Sequence, residues 1–80
     1  MNCLCIVQNV KDKKFLMALG NNIKLHRKLK NLTQLDLAIA MDNYAEQIGR
    51  IERGQLNVTI CTLKKISNAL DIQLKELLDF

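Results

Sequence analysis

The chain has 80 residues and a formal net charge of +4, which is enough for one small domain. Hydrophobic residues make up 49% and charged residues 25%, as in a globular protein rather than a disordered chain. No apolar run approaches the roughly 18 residues that a membrane span requires. The start, "MNCLCIVQNV", lacks the basic segment and cleavage site of a signal peptide. We therefore expect a protein of the cytoplasm with no membrane partner.

The charge is unevenly distributed along the chain. Residues 1–30 contain seven basic side chains and one acidic one, whereas residues 71–80 contain three acidic side chains and one lysine. This polarity suits a polyanionic partner, although a solvated basic face is the more common explanation of a charge run.

The three cysteines predict neither a disulfide framework nor a metal site. Their number is odd, and no histidine lies near Cys3 and Cys5. Cys61 falls within a helical pattern, where a free cysteine usually acts as a small hydrophobic residue. A reducing cytosol is the simplest setting, and we predict no metal and no cofactor.

Residues 1–14 are predicted to form an N-terminal arm. The segment "CLCIVQNV" has the apolar and β-branched content of a short strand, and "KDKK" then ends the pattern. A single strand has no sheet to join within this domain. The arm could pair with its copy in a dimer, lie over an apolar patch or be disordered.

The remaining sequence predicts five helices, because it contains no proline and only three glycines. The first covers about residues 15–30, where Leu16, Leu19 and Ile23 follow helical spacing. Thr33 and Asp36 have the spacing of a capping box that opens a second helix, about 34–41.

The pair Asn43 and Glu46 repeats that spacing and predicts a third helix, about 44–52. Gly54 would close this helix in the left-handed conformation. Thr59 would cap a fourth helix, about 60–70, whose apolar residues recur with the 3.6-residue period. A fifth helix is predicted at about 73–79, so the fold class is all-α.

Residues 33–54, "TQLDLAIAMDNYAEQIGRIERG", resemble the helix-turn-helix of the lambdoid phage repressor and Cro family, also called the XRE family. The resemblance covers roughly residues 19–78, including "TLKKISNALDI" from residue 62. It rests on "TQ", on "IERG" and on an apolar wedge formed by Leu37, Ala38, Met41, Ile48 and Ile51. Two positions depart from the family, since Asp42 replaces a usual glycine and Asn43 a usual apolar residue, which predicts a looser turn.

The resemblance implies a five-helix, lambda-repressor-like DNA-binding domain at residues 15–80, with its helix-turn-helix at about 33–53. It also implies a transcriptional regulator that binds double-stranded DNA as a homodimer on an inverted-repeat operator. The third helix would lie in the major groove. The implied base contacts are Ala45, Glu46 and Arg50, with Tyr44 and Gln47 contacting bases or phosphates. The implied phosphate contacts are Gln34, Arg53, Gln55 and Asn57, with Lys28, Lys30 and Asn31 as further candidates.

Other residues that match family positions are implied to stabilise the fold or to form contacts with a partner chain. Arg27 and Glu52 match an ion pair that joins the first and third helices in the family, and His26 is expected to be half-buried. Four residues that are usually polar in the family are apolar here: Leu25, Leu29, Leu35 and Ile39. We expect them to be covered by Leu4, Ile6 and Val7 of the arm or by a partner chain, and the simpler alternative is that apolar residues are tolerated at these surface positions without a cover. The family's C-terminal dimer contacts would correspond to Ile60, Leu74, Leu77, Leu78 and Phe80.

An enzyme is not expected. The single histidine has no nucleophile or carboxylate at a recognisable spacing, and there is no phosphate-binding glycine loop. No small-molecule ligand is evident. A protein-interaction module on the same fold is the alternative to a DNA-binding protein. Among DNA-binding proteins, a phage-type repressor, a restriction–modification controller and an autoregulating antitoxin all remain open.

Overall fold

A computed structural model describes residues 9–80, with side chains from residue 12 onward. It contains five helices: α1 (Asn9–Leu29), α2 (Gln34–Ala40), α3 (Ala45–Glu52), α4 (Ile60–Leu70) and α5 (Leu74–Leu77). This part of the chain contains no strand, so the predicted all-α class is confirmed. None of its helices has both the length and the apolar content needed to cross a membrane.

Helix α1 begins at Asn9, six residues before the predicted start at Phe15. The "KDKK" segment continues the helix because it contains no glycine or proline, and Asp12 lies in the first turn, where a negative charge is favourable. The predicted strand is therefore wrong for Asn9 and Val10. The remainder of that prediction concerns residues 1–8, which lie outside the described part of the chain.

Four of the helices are followed by a residue in the left-handed conformation. In each case the N–H of the next residue donates to the carbonyl five positions earlier, as in the Schellman motif. The left-handed residues are Asn31, Asp42, Gly54 and Asp71, and the closing N–H···O distances are 3.1, 2.8, 2.9 and 3.0 Å. The prediction for Gly54 is confirmed. Asp42 adopts the left-handed conformation within the same motif, and the looser turn predicted there stays a prediction.

The predicted capping boxes have different outcomes. At the start of α2, the Asp36 N–H donates to Thr33 Oγ1 and the Thr33 N–H donates to the Asp36 carboxylate. Thr59 caps α4 as predicted. The capping box between Asn43 and Glu46 is wrong, because α3 begins after Tyr44 and the Asn43 side chain accepts from the Tyr44 N–H instead.

The core lies where α1 and α4 pack against the helix-turn-helix, and α5 packs on α1 and α4. The predicted wedge between α2 and α3 is buried, with Leu37 and Ala38 at 0% exposure. The other buried apolar residues come from the remaining helices: Leu19, Ile23, Leu63, Ile66, Leu70 and Leu77. The motif is therefore packed on the rest of the domain through one continuous core.

A buried amide ties the short helix α5 to α1. Asn22 donates from Nδ2 to the carbonyl oxygens of Glu76 and Leu77, at 2.9 and 2.8 Å. Carbonyls at the end of a helix lack partners within that helix, and the amide supplies one. No local sequence pattern indicated this role, because the two partners are far apart in the chain.

Gly20 permits the close crossing of α1 over the end of α3. A Cβ at this position would lie 2.5 Å from the backbone oxygens of both Ile51 and Glu52. In a helix interior alanine is normally more stable than glycine by about 0.5–1 kcal/mol. For Gly20→Ala we expect a loss of stability instead, since overpacking typically costs about 1–3 kcal/mol.

The measurement is urea unfolding of Gly20→Ala beside Asn21→Ala, which changes the adjacent exposed position. The Asn21 variant should match or slightly exceed the stability of the unaltered protein, because alanine is the better helix former. Equal stability of the Gly20 variant would mean that α1 and α3 can separate without cost.

Several apolar side chains are exposed in this domain. Leu25, Leu29, Leu35 and Ile39 each have more than half of their surface accessible. The predicted cover stays a prediction, because Leu4, Ile6 and Val7 lie outside the described residues. His26 is half-buried as predicted, whereas Cys61 is exposed and does not act as a packed hydrophobic residue.

The predicted C-terminal dimer contacts divide into core and surface. Leu77 is completely buried and belongs to the core, and Leu74 is half-buried. The other three are exposed: Ile60, Leu78 and Phe80. The ring of Phe80 packs on that of Phe15, with centroids 5.4 Å apart.

Candidate nucleic-acid interface

The outward face of α3 is a continuous polar surface. Glu46, Gln47 and Arg50 are exposed on it, whereas Ile48 and Ile51 face the core. Tyr44, immediately before the helix, is 80% exposed. All of these polar side chains are therefore accessible to a partner, and the opposite face of the helix packs on the core.

Glu46 and Arg50 form an ion pair on this face. Arg50 donates from NH2 to Glu46 Oε2 at 2.9 Å, across one turn of the helix. A pair exposed to solvent contributes only about 0.3–0.5 kcal/mol to stability. The pair places the guanidinium group of Arg50 beside the Glu46 carboxylate on the outward face of α3.

Ala45 is placed differently from the other residues predicted to contact bases. It is half-buried and packs against the core. Its remaining surface lines a shallow groove between the first turns of α2 and α3, together with Lys28, Asn31, Gln34 and Leu35. Only part of its methyl group is available to a partner.

The predicted ion pair between Arg27 and Glu52 is present and buried. Arg27 Nε lies 2.6 Å from Glu52 Oε2, and NH2 lies 3.0 Å from Oε1. The third guanidinium nitrogen donates to the carbonyl of Leu32 at 2.7 Å. The two side chains are 8% and 3% exposed, so this pair joins α1 to α3 inside the protein.

Gln34 forms a hydrogen bond with this buried pair. Its Nε2 donates to Glu52 Oε1 at 3.1 Å. The Arg53 side chain reaches the same place over Gly49, where a Cβ would come within 3.2 Å of Arg53 NH1 and 3.4 Å of Gln34 Oε1. Gly49 thus leaves room for two predicted phosphate contacts to converge, an arrangement that the sequence did not reveal.

The other two predicted phosphate contacts follow α3 in the chain. Gln55 and Asn57 are exposed in the segment that connects α3 to α4. They line a separate groove against α1 rather than the Gln34 and Arg53 cluster. The structure thus places the predicted contacts in three neighbouring groups around α3.

The hydrogen bonds that open α2 favour the charged form of the Asp36 carboxyl. Hydrogen bonds from the backbone and the side chain of Thr33 lower the pKa of the Asp36 carboxyl from its ordinary value of 3.8. A lowered folded-state pKa stabilises the fold above the unfolded pKa, and this stabilisation is lost as the pH falls through the folded value.

Replacing Asp36 by asparagine should remove this dependence. We expect the unaltered protein to exceed Asp36→Asn in stability at about pH 6, and the difference to shrink as the pH falls below about 4. Urea unfolding midpoints across this range measure the difference. A difference that stays constant with pH would contradict the assignment.

Known proteins are similar to this chain in sequence and in fold. The profile of the helix-turn-helix family matches residues 23–77. Control protein C.BamHI from Bacillus amyloliquefaciens is 46% identical over 50 residues, which cover 62% of this chain and 62% of that protein. Control protein C.SmaI from Serratia marcescens is 35% identical over 60 residues, covering 75% and 71% respectively.

The crystal structure of the restriction–modification controller protein C.AhdI from Aeromonas hydrophila has the same fold. It superposes with a TM-score of 0.78 at 34% sequence identity, covering 80% of this chain and 97% of that one. The family match includes α2, α3 and the exposed polar face described above. The chain belongs to the XRE-type helix-turn-helix family of DNA-binding transcriptional regulators.

Proposed function

We propose that this protein binds a specific double-stranded DNA operator in the cytoplasm as a homodimer and controls a restriction–modification operon. The observation that carries the proposal is the exposed polar face of α3, which presents Arg50 paired with Glu46, together with the convergence of Gln34 and Arg53 at Gly49. The similarity to control proteins and to a restriction–modification controller favours this setting over a phage repressor or an antitoxin.

Helix α3 would read bases in the major groove. An arginine there can form two hydrogen bonds to O6 and N7 of guanine, and Arg50 has the exposure that this requires. Glu46 pairs with Arg50 and is itself able to accept from N4 of cytosine. Gln47 and Tyr44 lie alongside, and Ala45 offers part of its methyl group to thymine.

The residues around α3 would fix its register through phosphate contacts, which add affinity but little sequence information. Gln34 is suited to this role because Glu52 holds its amide in place. Arg53 supplies a positive charge beside it, and Gln55 and Asn57 supply neutral donors on the other flank.

A homodimer would match an inverted repeat, since half-sites one helical turn apart require two-fold symmetry. The exposed apolar side chains that support this part of the proposal are Ile60, Leu78 and Phe80, with Phe15 packed against Phe80. Exposed apolar surface of this kind commonly marks an interaction site, and a domain of this size gains stability from a partner.

Selection of bound fragments from random duplex DNA tests the proposal. It should be carried out at about physiological salt, where non-specific binding is weak. We expect enrichment of an inverted repeat with half-sites about 10 base pairs apart. Enrichment of a single half-site would contradict the homodimer but retain sequence-specific binding.

A protein-interaction module is the second candidate. It is favoured by the exposed side chains of Leu25, Leu29, Leu35 and Ile39, which occupy positions on α1 and α2 outside the proposed DNA contacts. No enrichment of any sequence by protein that is shown to be folded would favour this function over DNA binding.

A further inference from the structure

Four side chains form a line along one side of α1. Lys13, Met17, Asn21 and Lys24 recur at helical spacing, so they share one face of the helix. All four are exposed. This α1 stripe became apparent only in the structure, because the predicted start of α1 left Lys13 outside the helix.

Two glycines bring the α1 stripe against the end of α3. At Gly54, a Cβ would lie 2.8 Å from the backbone nitrogen of Met17, and at Gly20 it would meet the oxygens of Ile51 and Glu52. Neither contact leaves space for another layer of side chains. The α1 stripe therefore borders the same surface as the residues that end and follow α3.

The α1 stripe forms one wall of two grooves of about 370 and 380 Å³. In the first, Lys13 lies opposite Gln55 and Asn57. In the second, Asn21 and Lys24 lie with Gln34 and Arg53. Both grooves thus combine lysines of α1 with residues that are proposed above to contact phosphates.

The charge of these grooves suits an anion. Their lining includes Lys13, Lys24 and Arg53, and its single carboxylate is Glu52, which is buried and paired with Arg27. Within the described residues, neither lysine of the α1 stripe lies within ion-pair distance of a carboxylate. Their positive charges are not neutralised inside the protein.

We infer that Lys13 and Lys24 bind DNA phosphates, which makes α1 a DNA-contacting element outside the helix-turn-helix. The inference rests on the proposed function and extends it to a further part of the domain. The two lysines are about 16 Å apart along the helix axis, which is close to the length of five nucleotides of one strand at about 3.4 Å each. Asn21, between them, adds an uncharged donor.

The test is the salt dependence of binding to a random-sequence duplex of about 30 base pairs, followed by fluorescence anisotropy. The variant Lys13→Gln with Lys24→Gln should bind more weakly, and its slope of log K against log salt should be shallower by about 0.9 for each lysine removed from each protomer. The control, Lys65→Gln with Lys75→Gln, removes two exposed lysines of α4 and α5 that line neither groove.

The matched control separates direct contacts from net charge, because both variants lose two positive charges. We expect the control to keep the slope of the unaltered protein. An unchanged slope in the Lys13 and Lys24 variant would overturn the inference and leave the proposed function standing. An equal reduction of the slope in both variants would also overturn the inference. A lack of binding by the unaltered protein would overturn the proposed function and, with it, the inference.

Discussion

Arg27→Ala is expected to lower the free energy of unfolding by about 3–5 kcal/mol, the usual cost of removing one partner from a buried ion pair. Glu52 would lie in the interior with only the Gln34 amide beside it, and the carbonyl of Leu32 would lose its donor. In a domain of this size, each kcal/mol shifts the melting temperature by about 4–8 °C. Thermal unfolding should therefore show a fall of roughly 12 °C or more.

The double variant Arg27→Met with Glu52→Leu provides the control. It removes both charges and replaces them with apolar side chains, so no charge is left buried without a partner. Such replacements are often neutral or stabilising, and we expect a much smaller change than for Arg27→Ala. If Arg27→Ala melted within a few degrees of the unaltered protein, the pair could not be part of the scaffold.

Arg50→Ala is expected to have the largest effect on sequence discrimination. Loss of a bidentate contact to guanine costs about 1–3 kcal/mol for each half-site, or roughly 5- to 150-fold in affinity. Binding to DNA of unrelated sequence should fall much less. The measurement compares dissociation constants for the selected operator and for a scrambled duplex at the same salt concentration.

Arg53→Ala is the matched comparison, because it removes an arginine that we propose to contact phosphate rather than bases. It should weaken binding to both duplexes by a similar factor and leave the ratio of the two dissociation constants unchanged. If Arg50→Ala also left this ratio unchanged, Arg50 would be a phosphate contact and base reading would have to come from another residue. The folding of both variants should be normal, since both side chains are exposed.

The helix pattern was largely predictable because its signals are local. The bounds of α2 and α4 follow from caps at Thr33 and Thr59, whose hydrogen bonds span only three residues. The left-handed Gly54 is equally local. Asn43 does not form the predicted capping box, because its N–H donates to the carbonyl of Ala38 at the end of α2. The preceding helix therefore determines the role of Asn43.

The family resemblance supplied the ion pair of Arg27 and Glu52, two residues distant in the chain. It could not show that Gln34 joins that pair, because the contact depends on the orientation of a side chain over Gly49. Nor could it place Asn22 against the end of α5. Such contacts require the angle and separation at which the helices cross.

The sequence by itself determined the helices, their order and which faces of α2 and α3 are buried, because periodicity and capping act within a few residues. Only the tertiary structure decided which polar side chains share a surface. Gly20 and Gly54 let α1 approach α3 closely, and this approach places Lys13 and Lys24 beside Arg53 and Asn57. Adjacency of this kind depends on contacts between distant segments, which no local pattern encodes.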